Sequence, residues 1–69
     1  MALQVGDRVS WNTSHGRTRG EVVERKTKDF TFAKQRFTAT TDRPKFIVKS
    51  EKTGEKAAHA TSALRKLKG

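Results

Sequence analysis

His15 and His59 are the two histidines of a 69-residue chain that contains no cysteine. They are therefore the side chains whose ordinary pKa suits acid, base or metal-ligand work near neutral pH. A catalytic nucleophile needs an adjacent base and a third group that orients it. Ser14 directly precedes His15, but neighbours in a turn-rich stretch do not make that arrangement, and no acidic residue stands at a meaningful spacing. A metal site needs three or four convergent ligands, and two distant histidines do not supply them. Gly16-Arg17-Thr18-Arg19-Gly20 lacks the spacing and the Lys-Ser/Thr ending of a phosphate-binding glycine loop. The sequence thus predicts no enzyme, no metal and no cofactor. His59 reads as a half-buried strand residue and His15 as a loop residue.

Charge offers more. Sixteen Lys and Arg stand against seven Asp and Glu, a formal net charge of +9. A field of that sign recruits polyanions through release of their condensed counterions. The excess is spread along the whole chain, so any cationic face has to be assembled by folding. Arg17 and Arg19 in the Gly-flanked stretch, with Lys34 and Arg36 in a second loop, can surround Trp11 as a stacking platform with phosphate contacts. This predicts weak, salt-sensitive binding of DNA or RNA through a basic loop face. The alternative is a protein-interaction module that docks an acidic peptide or partner on a loop end or a strand edge. The bland alternative is that the charge merely keeps a small protein soluble, or that Lys52, Lys56, Arg65 and Lys68 are solvated faces and a frayed tail. A methyl-lysine cage built from Trp11, Phe30, Phe32 and Phe37 is disfavoured, because a +9 protein repels the basic tails that carry such marks.

The elements that must position these residues are short strands. Leu3, Val5, Val9 and Trp11 share one parity while Arg8, Ser10 and Asn12 take the other, which predicts a strand with one buried face and places Trp11 in the core. Asn12 to Gly20 is dense in turn formers and reads as a loop, with Gly16 and Gly20 supplying positive φ. Glu21 to Thr27 reads as a second strand. Residues 29–41 form an extra hairpin or an ordered long loop. Pro44 introduces a strand through Phe46, Ile47 and Val48, where its missing N–H does little harm. Thr53-Gly54 marks a tight hairpin into the strand Lys56 to Ala60. Thr61 or Ser62 caps a single helical turn, and Leu67 closes the chain.

About five short antiparallel strands with turns between them predict an all-β fold, a small barrel or curled sheet. Sixty-nine residues at 32% hydrophobic content predict one domain over residues 1–69, with a thin core between about residues 3 and 67. The opening residues lack the basic and apolar regions of a secretory leader, and no stretch approaches the ~18 apolar residues of a membrane span. A monomeric cytoplasmic protein is the expectation.

VGDRVSWNTSHGRTRGEVVE and PKFIVKSEKTGEKAAHATSALRKL resemble the hypervirulence-associated Tudor-like domain family of small bacterial and fungal proteins. The likeness rests on the Gly-Asp, Val and Trp of the opening, on Ser50-x-Lys52-x-Gly54, and on Ala57-Ala58-His59 followed by a leucine. The resemblance implies an SH3-like or Tudor-like barrel of about five strands, and little about activity. The chain departs from the family's common pattern at Ala60-Thr61, often Lys-Pro, and at Lys34, often Gly.

Overall fold

The computed structural model describes residues 3–14 and 16–67, so the expectations for His15 and Lys68 lie outside the described residues. Among them are seven strands: β1 Arg8–Thr13, β2 Gly16–Lys26, β3 Phe30–Phe32, β4 Gln35–Phe37, β5 Lys45–Ser50, β6 Lys56–Ala60 and β7 Arg65–Lys66. Five pair antiparallel in the order β6-β5-β2-β1-β7, and β3 with β4 forms a separate two-stranded ribbon. The all-β expectation holds. Of the two readings of residues 29–41, the hairpin is the one observed.

The sheet has to curl. Its edge strands β6 and β7 are joined through the 3-10 turn Thr61–Ala63 and Leu64. In a flat sheet those edges would stand four strand spacings apart, about 19 Å. A connection containing a 3-10 turn, at ~2 Å per helical residue, reaches only about 13 Å. A bulge between Val22 and Glu24 in the β2–β5 pairing adds to the local twist that closes the barrel. The interior holds Leu3, Val9, Trp11, Val22, Phe46 and Val48, with Ala57 and Leu64 packed against them. Ile47, on the opposite parity, is buried outside that cluster.

Several local expectations are corrected. Val5 shares parity with Val9 yet is 61% exposed. The chain turns before β1 begins: Gly6 takes φ +96°, the Asp7 N–H donates to the Gln4 carbonyl, and the Gln4 N–H donates to the Asp7 carboxylate at 2.9 Å. Most of the Asn12–Gly20 stretch is strand and not loop, since Thr13 pairs with Gly16 and β2 starts there. Gly16 does take positive φ, at +112°. Gly20 does not, and lies buried inside β2. Ser50 and Lys56 are separated by a five-residue loop, 51–55, wider than a tight hairpin. No side chain caps the 3-10 turn, whose preceding residue is Ala60.

The β3–β4 turn carries Ala33 at φ +53° and Lys34 at φ +65°. Both lie in the left-handed region, which costs a side-chain-bearing residue roughly 1 kcal/mol or more. Lys34→Gly should therefore raise stability by about 1 kcal/mol, or ~4–8 °C in Tm for a domain of this size. A melting curve checks it, and an unchanged or lowered Tm would contradict the turn geometry.

Candidate functional site

Two hairpin ends converge beside the open rim of the barrel. The β1–β2 turn leaves Arg17 and Arg19 on β2, opposite Asn12 and Ser10. By strand alternation all four share the outer face, while Trp11 and Thr18 share the inner one. The second hairpin end is the 51–55 loop, and the sequence explains its shape. Ser50, 6% exposed, accepts through Oγ from the N–H groups of Lys52 and Thr53 at 3.3 and 3.4 Å. Gly54, at φ +76°, donates its N–H back to the Ser50 carbonyl at 2.8 Å, and the Glu51 N–H reaches across to the Arg19 carbonyl at 3.0 Å. The Ser and Gly of the Ser50-x-Lys52-x-Gly54 motif thus build the loop. Lys52 is left exposed.

Between these ends runs a groove of about 710 Å³. Its inner wall includes Trp11, Thr18, Ala57 and His59. Trp11 is 5% exposed and belongs to the core; its ring centroid lies 5.7 Å from that of His59, at an interplanar angle of 42°. Around the rim stand Arg17, Arg19, Lys52 and Lys56, together with Glu51 and Glu55. Arg17 Nε donates to the buried Ser10 Oγ at 3.1 Å, which steadies the side chain and leaves its terminal nitrogens to meet a ligand. Arg8 pairs with Glu51 at 2.6 Å, so the four cations of the lining outnumber its carboxylates, Glu51 and Glu55, while Glu24, outside the lining, also faces Lys56. A second cavity, of about 420 Å³, is lined by Arg8, Lys49, Glu21 and Glu51 among others. Two cations there meet two carboxylates, so it lacks the excess charge of the groove.

Of the residues singled out from sequence, Trp11, Arg17 and Arg19 come together here. Arg17 and Arg19 do so from a strand, not from a loop. Lys34 sits in the β3–β4 turn and Arg36 on β4, in the separate ribbon and outside the groove lining. Lys52 and Lys56 were missed by sequence reasoning, because nothing local distinguishes them from other solvated lysines. Only the antiparallel topology brings loop 51–55 beside Arg19. The four rings proposed for an aromatic cage do not come together: Phe30 and Phe37 stack on each other at 5.3 Å in the β3–β4 ribbon that also carries Phe32, whereas Trp11 is 5% exposed in the core of the other sheet.

Burial lowers the His59 pKa from the ordinary imidazole value near 6.5. On acidification the unfolded chain takes up its proton first and the folded chain only at lower pH. The His59 contribution to stability is thus intact above about pH 6.5 and is lost as pH falls below it toward the lowered folded value. Thermal melts from neutral to mildly acidic pH should show this decline, and His59→Gln should flatten it. An identical slope in both proteins would contradict the burial.

A curled antiparallel sheet with a groove at its rim defines a small Tudor-like barrel, the architecture of a binding module. Residues 6–64 match the family of hypervirulence associated proteins TUDOR domains; the chain belongs to that family. No curated protein and no solved structure matches it. Among the described residues no helix is long and apolar enough to cross a membrane.

Proposed function

We propose that this chain is a non-catalytic binding module that takes nucleic acid on the cationic rim of the groove, weakly and with a steep salt dependence. The observation that carries the reading is the convergence of Arg17, Arg19, Lys52 and Lys56 on one groove, with Glu51 neutralised by Arg8. Four phosphate contacts on a single strand give a log–log salt slope of about −3. The groups lining the groove suit binding: cations on a rim, hydroxyls on the walls and an imidazole held neutral by burial. An acidic peptide is the competing occupant. β6 is an edge strand of the sheet, and Lys56, Ala57 and His59 of β6 line the groove, which favours strand addition by an extended acidic segment.

Titration of a labelled oligonucleotide and of an acidic polypeptide at several salt concentrations separates the two. The nucleic acid should bind more tightly and show the steep slope. Arg17→Ala combined with Arg19→Ala should weaken it roughly 30-fold, at ~1 kcal/mol per exposed charge contact, and reduce the slope by about 1.4. Lys34→Ala with Arg36→Ala removes the same charge outside the groove and should do much less. Equal losses from the two pairs, or equal affinity for both polyanions, would reduce the interaction to bulk electrostatics.

A further inference from the structure

We propose that the groove admits an unpaired nucleotide, its base entering against His59 and Trp11 while the flanking phosphates rest on Arg17, Arg19, Lys52 and Lys56, so that single strands are selected over duplexes. This rests on the nucleic-acid reading above and adds the form of the ligand.

The groove has two chemical zones, and a bare polyanion would use only one of them. The rim is cationic. The floor is uncharged and carries two rings, made from the inner-face residues Trp11, Thr18, Ala57 and His59. Trp11 is 5% exposed whereas His59 is half-buried. His59 is therefore the more accessible ring of the pair, whose centroids lie 5.7 Å apart at a tilt of 42°, and it is the ring we assign to stacking. Held neutral by burial, the imidazole is suited to stacking and adds no charge of its own.

Size agrees with this occupant. The volume of about 710 Å³ falls within the ~300–1,000 Å³ of small-molecule sites, which is ample for a base with its sugar. A phosphate or a carboxylate side chain would leave the floor empty. A duplex keeps its bases stacked and paired, presents phosphate alone, and would reach the floor only after opening a pair. Stacking on an aromatic ring tolerates any base, so the selection is for strandedness and not for sequence.

The test compares three ligands at one salt concentration with the unaltered protein: a labelled single strand about a dozen nucleotides long, an abasic strand of the same length and charge, and the corresponding duplex. The intact strand should bind about tenfold more tightly than the abasic one, one base's worth of stacking, and more tightly than the duplex. His59→Ala should bring the intact strand down to the abasic level, and His59→Phe should restore the difference. Equal affinity for intact and abasic strands with a steep salt slope would overturn the base-insertion proposal and leave the polyanion reading standing. No binding of any of the three would overturn both.

Discussion

Gly20→Ala should abolish the cooperative unfolding transition of this protein at room temperature, or lower its Tm by more than ~12 °C. A Cβ at position 20 would lie 1.9 Å from the Lys49 carbonyl oxygen, 2.8 Å from the Lys49 carbonyl carbon and 2.8 Å from Cη2 of Trp11. Two of those atoms are backbone, so a side-chain rotation cannot relieve the clash. β2 and β5 would have to separate where Gly20 pairs with Ser50. Overpacking costs typically 1–3 kcal/mol and more when backbone is involved, so ~3 kcal/mol is a lower estimate here. A chain of this length has roughly 3–10 kcal/mol of stability in all. Gly16→Ala makes the comparison for backbone strain without a clash: it takes φ +112° but a Cβ there meets nothing within 4 Å, so it should cost about 1–3 kcal/mol, less than Gly20→Ala. Tolerance of alanine at position 20 within 1 kcal/mol would mean that the Lys49 backbone and Trp11 do not pack this closely over β2.

Trp11→Ala should cost ~3–5 kcal/mol, the loss of a large buried ring together with the cavity it leaves. Trp11 fills the end of the interior with Leu3, Val9, Val22, Phe46 and Val48 around it, and a core this small has few neighbours able to collapse into the space. Urea titration should show a fall in midpoint or an already unfolded chain, while Trp11→Phe keeps a ring and should retain the fold. A change below 1 kcal/mol for the alanine variant would make Trp11 a surface platform instead of a core residue. Loss of ligand binding by Trp11→Ala is thus informative only beside a folding control, which is why the rim arginines are the better probes of function.

The contrast between these two residues shows how far the sequence could be read. Alternation placed Trp11 inward, because a strand with one buried face writes its period directly into residue types. β5 and β6 were legible for other reasons, β5 as the apolar run Phe46-Ile47-Val48 after Pro44 and β6 as the partner strand that the Thr53-Gly54 turn signal calls for. Gly20 was not legible, since a glycine required by close backbone approach looks the same in sequence as one required by a turn. That ambiguity turned a strand carrying Arg17 and Arg19 into a loop. Val5 misled in the opposite way: its parity is right, but the Gly6-Asp7 turn breaks the period before β1 begins. Of the groove, Trp11 and the two arginines were found, because charge and aromaticity are local properties. Lys52 and Lys56 were not, because their place beside Arg19 is set by the β2–β5 and β5–β6 pairings, which no local pattern encodes.

The most direct measurement is a titration of unlabelled single-stranded oligonucleotide into the ¹⁵N-labelled protein at low salt, followed by amide chemical shifts. Shifts should concentrate on Asn12, Arg17 to Arg19, loop 51–55 and His59, with the β3–β4 ribbon around Lys34 and Arg36 left in place. Shifts centred on that ribbon, or spread evenly over every exposed lysine and arginine, would contradict a nucleic-acid site in the groove.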